Sequence, residues 1–360
     1  MPKKVLIGMS GGVDSSVSAL LLKKAGYEVI GATMKLWEPS CSIEGESTCC
    51  GSQAVYDAKR VCDKIGIPHY TLNNKEEFNE KVVQNFICEY SNARTPNPCI
   101  ECNKYLKFGA FYQKALELEC DYVATGHYAK IEYSEKYNQY IMKKSDSEKK
   151  DQTYFLYSIN KEVLPHILFP LEKFTDKEMV RQIARENELE VAEKSDSQEV
   201  CFIPDNNYAG FLCRHMGGSN KSGNIVLKED GTILGKHNGL INYTVGQRKG
   251  LGISYKEPLY VLALDKKENT VIVGTEKELY SRELYANELN FLLNIELSKP
   301  IEVKAKIRYR AKEAEAILYP EENGICKVEF KEPQRAITPG QSVVFYIDDI
   351  VLGGGKIIQA

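Results

Sequence analysis

Three cysteines are the residues of this sequence whose type and spacing could do chemistry. Cys99 and Cys102 stand close together in TPNPCIECNKYLKFG, after two prolines and before a predicted helix, and Cys201 follows much later in KSDSQEVCFIPD. A Cys-x-x-Cys pair can be half of a zinc site, a redox couple, part of an iron–sulfur ligand set, or a nucleophile with a neighbour. The residue types alone leave these four roles open.

Zinc is disfavoured by the remaining cysteines. A structural zinc site usually takes two close pairs of ligands, the chain has no second Cys-x-x-Cys, and the adjacent Cys49 and Cys50 are poor chelate geometry. The eleven cysteines are an odd number in a chain without a secretory signal, so no secreted disulfide framework is expected. Most thiols should therefore be reduced. Neither Cys41 nor the adjacent pair receives a role from the pattern.

The composition predicts a globular protein and excludes generic polyanion binding. The chain is 43% hydrophobic and 27% charged, with a net charge of −3. No apolar run is long enough for a membrane span, so we expect a cytoplasmic protein. Any nucleic acid would have to bind to a locally basic surface, since phosphate contacts depend on where the cations lie.

The amino-terminal segment predicts the elements that would hold a nucleotide. Residues 4–9 have the pattern of a buried strand, SGG that of a turn, and a helix and a second strand follow. This βαβ unit implies a parallel sheet covered by helices on both faces. Ligands in such sheets bind at the carboxyl ends of the strands.

The turn SGGVDSS supplies glycines, three hydroxyls and one carboxylate at a helix amino terminus, a combination suited to phosphate groups. It lacks the lysine of the Walker pattern, and a capped turn with no ligand is the alternative. The turn resembles the PP-loop of N-type ATP pyrophosphatases, enzymes that cleave ATP between the α and β phosphates and adenylate a carbonyl oxygen. The expected ATP-binding residues are Gly8, Met9, Ser10, Gly11, Gly12, Val13, Asp14, Ser15, Met34 and Gly126.

The order of motifs along the whole chain resembles one family. The PP-loop is followed by PNPCIECN, TGHYA, KDQTYFLY, SDSQEVCFI and YTVGQRKGLGI. The series is similar to the tRNA-specific 2-thiouridylases, the MnmA/TrmU family. The resemblance implies ATP and Mg²⁺ as cofactors, the anticodon stem-loop of tRNA as substrate, and a persulfide donor such as a cysteine desulfurase or relay protein. The implied reaction is adenylation of O2 of the wobble uridine and its replacement by sulfur, releasing AMP and pyrophosphate.

The resemblance also implies roles for the cysteines. Cys201 would carry the persulfide, and Cys102 would either attack it, leaving a Cys102–Cys201 disulfide, or assist the substitution. Cys99 stands where family members vary, and with the other two it could instead hold a [4Fe–4S] cluster. We further hypothesise that a helix amino terminus near Asn103, with neighbouring lysines, lowers the pKa of Cys102.

The RNA contacts come from the same resemblance and from one charge pattern. In EVKAKIRYRAK, five cations alternate with apolar residues, which in a single strand would place all five cations on one face. A solvated strand face is the alternative. The residues implied to contact the target base are Asn97, Pro98 and Cys99. The residues implied to contact the rest of the tRNA are His127, Lys150, Asp151, Gln152, Tyr309, Arg310 and Gln341.

The predicted architecture is α/β: a parallel-sheet PP-loop domain, like that of the adenine nucleotide alpha hydrolases, followed by two smaller β-rich domains. We expect the catalytic domain over residues 1–205, a central β-rich domain over 206–280 and a tRNA-binding β-barrel over 281–360. Two rivals stay open at this point. One is another PP-loop ligase that adenylates a small carboxylate, and the other is a non-catalytic thiol sensor.

Overall fold

The computed structural model describes residues 2–37, 52–195, 200–216, 221–295 and 298–359. The amino-terminal part is built on a five-stranded, wholly parallel sheet in the order β3-β2-β1-β4-β7. Two further strands of this part form a hairpin that does not belong to the parallel sheet. These seven strands are β1 Lys4–Gly8, β2 Glu28–Lys35, β3 His69–Asn73, β4 Tyr122–Ala124, β5 Lys130–Ser134, β6 Gln139–Lys143 and β7 Ile167–Leu168.

Helices cover both faces of this sheet, because the strands are apolar on both sides. Val5 and Ile7 pack on one face, and Leu6 between them packs on the other. The α-helices of the chain are α1 Val13–Lys24, α2 Ser52–Ile65, α3 Lys75–Phe78, α4 Gln84–Ser91, α5 Pro98–Glu101, α6 Phe111–Glu117, α7 Lys177–Glu186 and α8 Tyr208–His215. Wider π-helical turns, Asn79–Val83 and Cys102–Ala110, join α3 to α4 and α5 to α6.

The central part holds a four-stranded mixed sheet in the order β10-β11-β8-β9. Its strands are β8 Gly223–Leu227, β9 Ile233–His237, β10 Tyr260–Asp265 and β11 Thr270–Gly274. The segment GLINYTVGQRKGLGI has apolar residues bounded by turn residues, a pattern that predicts short strands, but it forms no strand. It forms a 3₁₀ turn, Leu240–Asn242, and loops in which Gly246 and Gly250 take positive φ values of 89° and 80° that a regular strand does not allow.

The carboxyl-terminal part is a closed six-stranded barrel. Strands β12, β15, β14, β13, β16 and β17 pair in that order, and β12 pairs with β17 to close it. They are β12 Tyr280–Phe291, β13 Ile301–Lys306, β14 Ala314–Pro320, β15 Cys326–Arg335, β16 Ser342–Ile347 and β17 Ile350–Gln359. Further 3₁₀ turns are Thr153–Phe155, Lys161–His166, Glu276–Leu279 and Glu322–Gly324.

The barrel and the parallel-sheet part are packed against each other. The hairpin β5–β6 extends the barrel sheet where Lys143 pairs with Ile350. Tyr154 donates a hydrogen bond to the Ser342 carbonyl at 2.9 Å. The Tyr157 and Ser342 hydroxyls form a second hydrogen bond, and both side chains are buried. These contacts fix the barrel against the parallel-sheet part of the chain. No described helix combines the length and apolar character needed to cross a bilayer.

Candidate active site

The SGGVDSS turn lies at the carboxyl end of β1 and is shaped by its glycines. Gly11 has φ of +68°, and a β-carbon there would lie 2.5 Å from the Ala54 carbonyl of α2. The Ser10 amide and hydroxyl both contact the Ser15 hydroxyl, at 3.2 and 3.1 Å. The backbone can therefore take this close path only with glycine at position 11.

Helix α1 does not begin with a side-chain cap, which was the alternative interpretation of this turn. The residue that precedes α1 is Gly12, and no side chain caps the helix there. Asp14, a candidate cap by type, instead accepts from the Tyr128 hydroxyl at 3.0 Å and the Lys177 ammonium at 2.6 Å. The first amides of α1 keep the positive end of the helix dipole directed at the turn, as an anion site requires.

Two lysines beside the loop were missed by sequence reasoning. Lys177, the first residue of α7, lies against Asp14, and Lys194 donates to the Gly11 carbonyl at 3.0 Å and pairs with Asp57 at 2.6 Å. Both come from segments distant in sequence, so spacing gave no signal. Lys194 does precede SDSQEVC, a motif already singled out. The two cations bring positive charge to a loop that suits phosphates.

The other predicted nucleotide residues share this edge of the sheet. Met34 lies near the end of β2, which pairs directly with β1. Gly126 follows β4, and a β-carbon there would lie 2.8 Å from the Ser15 amide. The remaining predicted residues flank the turn: Gly8 ends β1, Met9 follows it, and Val13 begins α1. All ten residues predicted to bind ATP therefore lie along one edge, although their contacts with a nucleotide stay a prediction.

The helix that carries the Cys-x-x-Cys pair begins earlier than expected. It starts at Pro98 after Asn97, so Cys99 lies in the first turn and the Cys102 amide already bonds to the Pro98 and Cys99 carbonyls. The expectation of a helix start near Asn103 is wrong, because proline is well suited to the first helical position. The helix dipole consequently acts more directly on Cys99 than on Cys102. A lowered pKa of Cys102 stays a hypothesis.

Cys102 and Cys201 lie in the same apolar cluster. Cys102 is buried, at 8% exposure, and Cys201 is half-buried against the cluster. The anchor of the Cys201 segment is the adjacent Phe202, whose ring contacts those of Phe78 and Phe86 at centroid distances of 5.6 and 5.3 Å. The fold thus places two thiols that are far apart in sequence in the same cluster. Met34, one of the residues predicted to bind ATP, also packs against this cluster. The cluster therefore borders the nucleotide edge, the edge of the sheet where those ten residues lie.

The three thiols do not form a metal-binding group in this structure. Among the described residues, no set of three cysteine, histidine or carboxylate side chains is arranged to hold a metal ion. Cys99 is exposed, whereas Cys102 is buried in the next turn of the same helix. The residues therefore do not fit a three-thiolate cluster. Cys41, Cys49 and Cys50 lie outside the described residues.

The basic segment is not one strand. Strand β13 ends at Lys306, so the expected face of five cations is wrong, and Arg308 turns inward to donate to the Arg335 and Ala336 carbonyls. The strand end exposes Arg310, and Tyr309 packs on Phe155 with ring centroids 4.4 Å apart. Tyr309 is half-buried against a hydrophobic cluster, so its predicted contact with tRNA stays a prediction.

Asp151 and Gln152 in the KDQ motif turn towards the protein. Asp151 is buried, accepts from the Thr153 hydroxyl at 2.6 Å, and has its pKa raised by burial. Gln152 accepts from the Tyr128 amide at 3.0 Å. These two side chains hold the turn in shape, while Lys150 beside them is half-exposed. Their predicted contacts with tRNA stay predictions.

His127 is held as a neutral imidazole. Its Nε2 lies 3.3 Å from the Lys107 ammonium and its Nδ1 lies 2.7 Å from the Thr125 hydroxyl. Loss of solvent, and secondarily the charge of Lys107, keep its pKa well below the ordinary range. The imidazole therefore accepts from Lys107 and donates to Thr125. A contact with RNA would use its neutral form.

Comparison with known protein families shows which class of protein this chain belongs to. Three family models match in order: a tRNA methyl transferase HUP domain over residues 3–205, a tRNA methyl transferase PRC-barrel domain over 209–275, and an aminomethyltransferase beta-barrel domain over 281–357. The chain is thus a HUP-domain protein with two appended β domains, and the predicted fold class is confirmed. The predicted boundaries of the three domains stay predictions.

Close relatives identify the family within that class. A protein of Acetivibrio thermocellus named tRNA-specific 2-thiouridylase MnmA is 53% identical over 359 residues, covering 99% of each chain. A protein of the same name from Clostridioides difficile is 51% identical, over 99% of this chain and 98% of that one. This chain belongs to the MnmA family of tRNA-specific 2-thiouridylases, and the resemblance noted from its motifs is confirmed.

Proposed function

We propose that this chain is a tRNA-uridine 2-sulfurtransferase, which uses ATP to replace O2 of the wobble uridine with sulfur. The observation that carries the proposal is the packing of Cys102 and Cys201 in one cluster that also contacts Met34 beside the nucleotide edge. A small-carboxylate ligase would need neither thiol there, and a thiol sensor would need no phosphate-binding turn.

The first half of the reaction belongs to the nucleotide edge. The uridine O2 attacks the α-phosphorus of ATP, the bond to the β-phosphate breaks, and pyrophosphate leaves with the electron pair. The glycine turn, the dipole of α1 and the two lysines stabilise that leaving charge. Bound Mg²⁺ would neutralise further phosphate charge, and Asp14 offers the hard carboxylate ligand that this ion prefers. Uridine is left with AMP on O2, a good leaving group.

The second half belongs to the thiols. With a persulfide on Cys201, the Cys102 thiolate attacks the Cys201 sulfur, forms the Cys102–Cys201 disulfide and releases hydrosulfide. Hydrosulfide adds to C2 of the uridine and AMP departs with its oxygen. The two cysteines are oxidised as the outer sulfur is reduced, so a thiol reductant must restore them. No step passes through an iron–sulfur cluster, because the described thiols do not fit one.

The partners follow from this chemistry. The tRNA anticodon stem-loop supplies the uridine, and Asn97, Pro98 and exposed Cys99 would contact the target base, which must be unstacked to reach them. Lys150, Tyr309 and Arg310 would contact the surrounding RNA. The sulfur comes from a protein persulfide, such as that of a cysteine desulfurase or a relay protein. We propose a cytoplasmic location, where tRNA and a reducing thiol pool are present.

The test is a thiolation assay with matched cysteine variants. Incubation with ATP, Mg²⁺, a persulfide donor and unmodified tRNA should give 2-thiouridine and AMP. The variants Cys102→Ser and Cys201→Ser should lose 2-thiouridine while still binding ATP. Cys213→Ser is the matched control, because Cys213 packs against the same cluster and has no assigned role, and it should retain activity. Full thiolation by either of the first two variants, or turnover of ATP on a small acid instead, would contradict the proposal.

A further inference from the structure

The loop of residues 92–97, which leads into the cysteine helix, lies directly against the barrel. The Thr95 amide donates to the Pro339 carbonyl at 2.9 Å. The Gln341 side-chain amide donates to the Thr95 carbonyl at 2.8 Å and lies 3.4 Å from the Pro96 carbonyl. Both polar groups of the Thr95 backbone are therefore satisfied by the barrel.

Gly340 makes this close approach possible. It has φ of +89°, and a β-carbon there would lie 2.8 Å from the Thr95 amide and 2.9 Å from the Arg94 β-carbon. Only glycine combines that backbone conformation with that distance. The barrel loop is consequently shaped to receive the 92–97 loop.

An ion cluster with two buried members joins α4 and the 92–97 loop to the barrel. Glu89 of α4 pairs with Arg94 at 2.7 Å, Lys356 of β17 pairs with Glu288 of β12 at 2.8 Å, and Lys356 lies 3.7 Å from Glu89. Glu89 and Lys356 are only 4% and 9% exposed. Charges this buried are retained only with partners, and removal of one partner leaves the other uncompensated.

The charge of Lys356 also acts on the cysteine helix. Glu101, between Cys99 and Cys102 in sequence, has its pKa raised by burial, and the positive charge of Lys356 is the largest influence opposing that rise. Lys356 therefore influences the segment that carries the proposed nucleophile, in addition to its place near Glu89 and the loop before that segment.

We infer that Gln341 and Lys356 are positioning residues that fix the 92–97 loop, and with it the target-base residues and Cys102, onto the barrel. This inference rests on the proposed function. It also differs from the role that family resemblance implies for Gln341, a contact with tRNA, because here its donor group is used on backbone carbonyls of the protein. The barrel, which would bind the RNA body, and the segment that would present the base to Cys102 are then joined by direct hydrogen bonds.

Gln341→Met separates positioning from RNA contact. If Gln341 positions the loop, kcat for thiolation should fall by about tenfold or more while KM for tRNA stays within about twofold, since misplacement of reacting groups costs rate. If Gln341 contacts RNA, KM should rise and kcat should be kept, which would overturn the inference. Unchanged kcat and KM would overturn it too.

Lys356 provides an independent test with its own control. Lys356→Met should lower kcat in the same manner, and Lys356→Arg, which keeps the charge, should restore most of it. Lys331→Met removes an exposed lysine of β15 that pairs with Glu315 at 2.8 Å, and it should leave both constants unchanged. Equal losses in the Met and Arg variants of Lys356 would contradict a role for its charge.

Hydrogen exchange at the Thr95 amide reports the loop directly, without reference to activity. This amide should exchange slowly in the wild type and faster in Gln341→Met and Lys356→Met at temperatures where each variant remains folded. Slow exchange in both variants would overturn the inference. Failure of the wild type to make 2-thiouridine would instead refute the proposed function, and the exchange result would still decide whether the barrel holds the loop.

Discussion

His127 shows how a residue named from a motif acquires different chemistry in its surroundings. A histidine near RNA suggests a cation for phosphate, but Lys107 beside Nε2 and the loss of solvent keep the imidazole neutral. The positive charge at this position belongs to Lys107. The two side chains form one unit, in which histidine fixes the direction of the lysine.

This arrangement makes the contribution of His127 to stability depend on pH. In the unfolded chain the imidazole takes a proton below its ordinary pKa of about 6.5, whereas in the folded chain, with its lowered pKa, it stays neutral. The unfolded state therefore binds more protons, and the stabilisation is complete above about pH 6.5 and is lost as the pH falls.

The expected outcome concerns the His127→Gln variant. The difference in free energy of unfolding between wild type and variant should be larger at about pH 7.5 than at about pH 5.5. Urea denaturation at both pH values measures it. A difference that is the same at both, or larger in acid, would contradict the neutral assignment.

At the scale of elements, the glycine turn between β1 and α1 depends on two separate properties of Gly11. One is its positive φ, and the other is its contact with the Ala54 carbonyl of α2. Gly26, just after α1, also has a positive φ, of +88°, but a β-carbon there would meet no other described residue within 4 Å. The two positions therefore separate backbone strain from steric overlap.

Gly26→Ala should lower the free energy of unfolding by about 1 kcal/mol through backbone strain alone and should leave ATP binding intact. Gly11→Ala should lower the free energy of unfolding by more than this and should lose most ATP binding, because the turn must move away from α2. Thermal melting with and without ATP measures both effects. Equal stabilisation of the two variants by ATP would show that the turn does not hold the nucleotide.

Local sequence patterns predicted the elements that are determined locally. The strand–turn–helix around SGGVDSS follows from its buried-strand pattern, its glycine turn and the helical pattern after it. The start of the cysteine helix was misplaced, although Asn97 and Pro98 are the usual signals for it. The end of β13 at Lys306 was not predicted, because the alternation of cations and apolar residues continues beyond it.

At the scale of the whole molecule, the site is assembled from segments far apart in the chain. Cys102 and Cys201 meet in one cluster, Lys177 and Lys194 reach the glycine turn, and the barrel holds the 92–97 loop. No periodicity or spacing encodes these contacts, because they arise from packing of complete elements. The proposed pairing of Cys102 with Cys201 came from the family resemblance. The fold supports it by placing both thiols in one cluster.

The most direct test of this account follows one sulfur atom through the protein. Cys201 is loaded with an isotopically labelled persulfide, the donor is removed, and ATP with unmodified tRNA is added for a single turnover before alkylation and mass spectrometry. We predict that labelled sulfur appears in 2-thiouridine as a Cys102–Cys201 disulfide forms. Transfer of the label with both cysteines recovered as alkylated thiols, or transfer by Cys102→Ser at the wild-type rate, would contradict the account.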